Sequence, residues 1–166
     1  MHLAQLNSLT DEQATQCFMQ CCTSSAWVSA MVQSRPFVDK NDLVEKADLA
    51  WQDLTETDYL EAFDGHPQIG NVDTLRAKYA NTKALASGEQ SSVSEASEQV
   101  IAALAKGNAD YLKKFGFIFI VCATGKSAEQ MLALLAARLP NDKTTEFVNA
   151  AEEQRKIFHL RLEKLL

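Results

Sequence analysis

Glu61-Ala62-Phe63-Asp64-Gly65-His66-Pro67-Gln68-Ile69-Gly70-Asn71 is the stretch of this chain that does not read as ordinary amphipathic helix. Tyr59, Leu60 and Phe63 have helical spacing and end a short helix. Gly65 is expected to take a positive φ and close that helix. Pro67 forbids continuation and pushes His66 out of the α region. Gly70 permits a second reversal. The outcome is a stiff loop holding one imidazole between two glycines. Two readings fit it: a helix–helix connection whose histidine caps the helix end, or a loop built to present the imidazole.

The periodicity on either side is helical. Thr10 and Gln13 form a capping box that opens a helix running to about Cys22. A second helix spans about Ser24 to Gln33 and stops at Arg35-Pro36. Leu43, Ala47, Ala50, Trp51 and Leu54 make the stripe of a third, and Thr57 is expected to cap the fourth. Leu75, Tyr79, Thr82 and Ala86 continue the pattern beyond the loop. Val93, Ala96, Val100, Ala103 and Leu104 follow, with a break or bend expected at Gly107-Asn108 and a stop at Gly116. Ser127 and Gln130 form another capping box. Phe147, Ala151, Phe158, Leu162 and Leu165 line the last helix, which starts at Asp142 or Thr144. The expected fold is all-α: one compact domain over residues 1–166, with about eight helices.

Phe117-Ile118-Phe119-Ile120-Val121-Cys122-Ala123 is the exception. It is apolar throughout and rich in β-branched residues, yet no second segment alternates like a strand to pair with it. An extended, irregular buried connection is expected, with a tightly wound core helix turn as the alternative. An irregular segment has backbone N–H groups with no ladder partners, and a bound ligand is one way to satisfy them.

Composition narrows the chemistry. The net charge is −6 and there is no basic stripe, which argues against nucleic acid or an anionic membrane as partner. No apolar run reaches the roughly 20 residues of a membrane span. With no secretory or peroxisomal signal, the cytoplasm is the expected location. Cys17, Cys21, Cys22 and Cys122 lack paired C-x-x-C spacing and nearby histidines, so buried reduced thiols are expected rather than zinc. There is no phosphate loop and no nucleophile elbow.

Of the three histidines, His2 is read in a tail and His159 on the solvated side of the last helix. His66 remains. An imidazole exchanges protons near neutral pH but needs an orienting partner. Glu89, on the polar turn after Ala86, is the preferred candidate. Arg161 lies at the margin of the last helix's apolar stripe, where an arginine either snorkels to solvent or holds a ligand.

Arg35-Pro36-Phe37, the Gly65-to-Gly70 element, Glu89-Gln90, Tyr111, Phe115-Gly116-Phe117, Phe119, Cys122-Ala123, Lys156-Ile157 and Leu160-Arg161-Leu162 occur in order and at fitting spacings. Together they resemble the OHCU decarboxylase family, whose substrate is 2-oxo-4-hydroxy-4-carboxy-5-ureidoimidazoline. The resemblance runs from about Phe18 to Leu166. It implies an all-α homodimer without metal or organic cofactor, acting on a small ureidoimidazoline in urate degradation to give (S)-allantoin. It implies catalytic roles for His66 and Glu89. It implies substrate contacts from Pro67, from Ala86, Ser87, Gly88, Glu89 and Gln90, from Phe119, Ile120, Val121, Cys122 and Ala123, and from Arg161. Ala86 stands where other members often have serine, and Ile118 where some have proline. A catalytically silent ureide-binding or scaffold module, or a decarboxylase of a related ureide acid, are the alternatives.

Overall fold

The structure is a computed structural model that describes residues 1–67, 71–79 and 92–166, with backbone only at 92–97. Gln68 to Gly70 and the polar segment from Ala86 to Gln90 lie outside the described residues. Those described form nine helices and no strand: α1 Leu3–Ser8, α2 Asp11–Cys21, α3 Ser25–Gln33, α4 Lys40–Gln52, α5 Glu56–Asp64, α6 Val72–Tyr79, α7 Ser92–Phe115, α8 Ala128–Arg138 and α9 Lys143–Leu165. The all-α class is as expected. Among the described residues no helix is long and apolar enough to cross a membrane.

Local chemistry sets most of the ends. Thr10 accepts from the Gln13 amide while the Gln13 side chain returns to Thr10, and Ser127 and Gln130 do the same for α8. Asp142 Oδ1 accepts from the Thr145 amide at 2.8 Å at the start of α9. Thr55, not Thr57, caps α5, with Asp58 closing the box. Gly116 stops α7 with a φ of +80°, a left-handed conformation that glycine takes freely.

Two helices depart from the sequence reading. α1 forms in what reads as a tail because tertiary groups hold it. Leu6 is fully buried, Asn7 Nδ2 donates to the Phe37 carbonyl at 2.8 Å, and Arg35 Nη1 donates to the Leu9 carbonyl at 2.6 Å. α7 continues through Gly107-Asn108, where a break or bend was expected. A Cβ at Gly107 would lie 2.6 Å from Leu135 Cδ2, so the glycine lets α8 approach α7 closely.

By contacts the chain divides into two compact units, Met1–His66 with Asn149–Leu166, and Pro67–Val148. In the first, Trp27 is fully buried, with Phe18 at 6.1 Å and Phe158 at 5.1 Å between ring centroids. Its indole N–H donates to the Ala47 carbonyl at 3.0 Å, so its polar edge is satisfied. Each such side chain contributes about 1.5–3 kcal/mol by leaving water. His159 is half-buried, not solvated: it pairs with Asp48 at 2.7 Å, and Arg155 reaches the same carboxylate at 3.2 Å. In the second unit, Tyr111 meets Phe115 at a tilt with centroids 4.5 Å apart, Phe115 stacks on Phe117 at 6.1 Å, and Tyr111 meets Phe119 of the irregular segment edge-on at 5.3 Å. Arg76 of α6 donates to Glu98 of α7 at 3.0 and 2.8 Å.

Candidate active site

His66 follows α5 by two residues, and the position of α5 is set by its neighbours. Glu61 accepts from the Ser25 amide at 3.0 Å and the Ser25 hydroxyl at 2.8 Å, placing a carboxylate at the N-terminus of α3. Thr23 Oγ1 donates to the Glu61 and Ala62 carbonyls at 3.3 and 3.4 Å. Gly65 does not take the expected positive φ; its φ is −71°. Its lack of a side chain serves close approach instead, since a Cβ there would sit 1.9 Å from Thr23 Oγ1. The chain then turns with the His66 amide donating to the Phe63 carbonyl at 3.2 Å, and Pro67 is exposed.

The imidazole is half-buried, and its Nε2–H donates to Oε1 of Gln154 on α9. Gln154 is 1% exposed, a polar side chain in the core. Burial pushes the His66 pKa below its ordinary value. The bond to Gln154 opposes that shift, and the nearby Arg161 charge adds to it. The ring is therefore neutral at neutral pH. Glu89, the orienting partner expected from sequence, lies outside the described residues, as do Ala86, Ser87, Gly88 and Gln90.

Arg161 is half-buried on α9. Its Nη1 donates to the Cys21 carbonyl at 3.1 Å and reaches the Gln20 carbonyl at 3.5 Å, so it caps the C-terminal end of α2. It also lines an open depression of about 240 Å³ with Gln20, Cys21, Lys164 and Leu165.

The segment Phe119–Ala123 lies in the other unit, and it has no regular secondary structure, as expected; the helix-turn alternative is overturned. Ile120 is buried; Phe119, Val121, Cys122 and Ala123 are half-buried. The Ile120 carbonyl accepts from Arg138 Nη1 at 2.7 Å, and the Cys122 carbonyl from Lys126 Nζ at 2.7 Å. The Arg138 guanidinium also lies 4.7 Å from the centre of the Phe119 ring. Arg138 is held by Glu146 at 2.8 Å, and this carboxylate is fully buried. The Tyr111 hydroxyl and the Asn141 amide donate to the same carboxylate. Burial first, and that bond second, push the Tyr111 phenol far above its ordinary range, so it stays a donor.

Gln154, Arg138 and Glu146 are absent from the sequence reading, although a signal existed for two of them. Glu146, Ala150, Gln154 and Phe158 recur every four residues on α9, all within 1% of complete burial. The buried stripe of the first half of α9 thus sits one residue before the Phe147–Ala151 face that was expected. Each polar residue on this stripe has its own partners, Arg138, Tyr111 and Asn141 for Glu146 and His66 for Gln154. Among the described residues no group of three or more His, Cys, Asp or Glu could hold a metal ion.

Comparison with known proteins agrees with this architecture. The family profile for OHCU decarboxylase matches residues 7–163. The chain is 37% identical over 145 residues to the Uric acid degradation bifunctional protein TTL of Arabidopsis thaliana, covering 87% of this chain but 45% of that longer protein. It is 30% identical to the 2-oxo-4-hydroxy-4-carboxy-5-ureidoimidazoline decarboxylase of Amia calva, covering 100% of this chain and 95% of that one. A crystal structure of OHCU decarboxylase in the presence of (S)-allantoin superposes with a TM-score of 0.71 at 35% identity, over 95% of this chain and 98% of the other. An (S)-allantoin synthase structure, 16% identical with a TM-score of 0.74, shares the fold over 100% of this chain and 54% of its own. With a profile match over nearly the whole chain and relatives of this similarity, the protein belongs to the OHCU decarboxylase family.

Proposed function

We propose that this protein decarboxylates 2-oxo-4-hydroxy-4-carboxy-5-ureidoimidazoline to (S)-allantoin, with His66 as the proton-transfer group. The observation that carries the reading is the setting of His66: a half-buried, neutral imidazole seated on a buried amide, in a chain of this family. In the reaction the bond to the carboxylate breaks, CO₂ leaves and the electron pair enters the ring. The hydroxyl on that carbon becomes a ring carbonyl and loses its proton, the neighbouring carbon gains one, and the ring nitrogen that receives the electron pair takes a proton from solvent. A neutral imidazole suits both tasks, because it accepts the first proton and returns it to one face of the ring. General acid–base catalysis of this kind contributes about 10²–10⁴-fold.

Charge develops on the ring as CO₂ leaves, and donors aimed at it lower the barrier. In this reading the backbone N–H groups of Phe119 to Ala123 supply such donors. The anchoring of two of that segment's carbonyls by Arg138 and Lys126 supports this role, since a fixed backbone needs no reorganisation during reaction. Arg161 holds an anionic group of the substrate, and the open depression it lines supports its access to ligand. Pro67 and the segment from Ala86 to Gln90 complete the substrate contacts, with Glu89 as a second partner of His66. The family resemblance supports these assignments, together with a homodimer acting in the cytoplasm.

The test is circular dichroism at an allantoin band during breakdown of freshly generated substrate, with wild type and with His66→Ala. Rapid appearance of the S enantiomer, slowed at least a hundredfold in the folded variant, is expected. Racemic product at the spontaneous rate with wild type would reduce the protein to a binding module or to a decarboxylase of another ureide acid.

A further inference from the structure

Gln154 has no need to be polar on fold grounds. It sits between Ala150 and Phe158 on the buried stripe of α9, both fully buried, and is itself 1% exposed. An amide in such a place must have its hydrogen bonds made internally. Among the described residues every buried side-chain nitrogen and oxygen has a partner. The partner of the Gln154 oxygen is His66 Nε2, 88 positions away in sequence. A neutral imidazole has one N–H and one acceptor nitrogen, and the group bonded to one nitrogen decides which is which.

We infer that Gln154 is a positioning residue: by accepting Nε2–H it fixes the ring orientation and tautomer of His66, leaving Nδ1 as the nitrogen that takes and returns the substrate's proton. The inference rests on the proton-transfer reading of His66 and adds to it the working nitrogen and the group that selects it. At Nε2 a neutral amide orients the ring without adding to the negative charge that Glu89 brings to it in this reading, whereas a second carboxylate there would favour the imidazolium and resist return of the proton. The charged group among the described residues that acts on His66 is Arg161, also on α9, and it too disfavours the imidazolium.

The test has an arm that does not depend on turnover. In uniformly ¹⁵N-labelled wild type, the His66 ring is expected to show a protonated Nε2 and an unprotonated Nδ1. Gln154→Leu is expected to show a mixture of tautomers. In the second arm, Gln154→Leu lowers kcat about a hundredfold with KM nearly unchanged, the cost of a displaced catalytic group. It costs nothing further in the His66→Ala background. Gln154→Glu retains the acceptor and the shape, and moves the acid limb of the kcat/KM profile up by about one pH unit or more. A wild-type ring protonated on Nδ1, or a Gln154→Glu profile that overlays the wild type, overturns the inference. If Gln154→Leu does not fold, the wild-type spectrum and the Gln154→Glu profile decide it. Turnover unaffected by His66→Ala would instead sink the proton-transfer reading, while the tautomer measurement would still report on the contact.

Discussion

Arg138 Nη1 donates to the Ile120 carbonyl at 2.7 Å while its Nη2 lies 2.8 Å from the Glu146 carboxylate, tying an irregular backbone segment to a fully buried charge. The segment has no ladder to hold it, so the ion pair does part of that task. Removing one partner leaves the other charge buried and uncompensated, which costs about 3–5 kcal/mol. Arg138→Met and Glu146→Gln should each lower the urea midpoint of unfolding accordingly. Arg138→Met/Glu146→Leu should lose much less than the sum, because no orphan charge remains. If the segment supplies transition-state donors, that stable double variant should have a reduced kcat. Wild-type kcat would separate the ion pair from catalysis.

Gly65 should not tolerate even alanine, and the reason is Thr23 rather than backbone conformation. The φ of −71° suits any residue, but an added Cβ would be 2.6 Å from Thr23 Cβ and closer to its hydroxyl. Thr23 Cβ cannot move without its own backbone. Gly65→Ala should therefore cost about 1–3 kcal/mol, as overpacking does, and should displace the adjacent His66. Thr23→Gly removes the clashing atoms, so Gly65→Ala should cost less in that background. Equal costs in both backgrounds, read by thermal unfolding, would refute the steric account.

The elements legible in the sequence are those set by local chemistry. Thr10 with Gln13, Ser127 with Gln130 and the stop at Gly116 depend on residues within one turn, and each is found as read. The irregular nature of Phe119–Ala123 was legible because its composition had no strand to pair with. Gly65 and Gly107 were misread because both answer to a side chain far away, Thr23 and Leu135, that no local pattern reveals. Arg35 likewise turns a tail into α1 from a distance. The unusual loop that carries His66 was legible, but the buried Gln154 that bonds its ring was not. Gln154 and Glu146 look like ordinary polar residues of a charged helix until the true buried stripe is known.

Burial of the four thiols sorts them by reactivity. Burial pushes the Cys21 thiol up to about 11 and the Cys22 thiol up to about 12, so neither forms appreciable thiolate at pH 8. Cys17 and Cys122 are half-buried. In native protein, iodoacetamide at pH 8 should label Cys17 and Cys122 first, with Cys21 and Cys22 reacting only on unfolding, as read by peptide mass spectrometry. If Phe119 to Ala123 contacts ligand, allantoin should slow labelling of Cys122 and leave Cys17 unchanged.

The neutral His66 also makes stability depend on pH in a defined sense. Its folded pKa is depressed, first by burial, below the ordinary value of 6.5. Between those two values the unfolded chain binds more protons at this site than the folded one, so stability rises with pH through the window. The contribution is fully present above about pH 6.5 and is lost as pH falls toward the folded value. His66→Gln removes this titration. Wild type should therefore lose more stability than His66→Gln on going from pH 7 to pH 5.5, measured as the change in urea midpoint. Parallel curves for the two proteins would mean that the imidazole titrates alike in both states, and that burial against Gln154 does not keep it neutral.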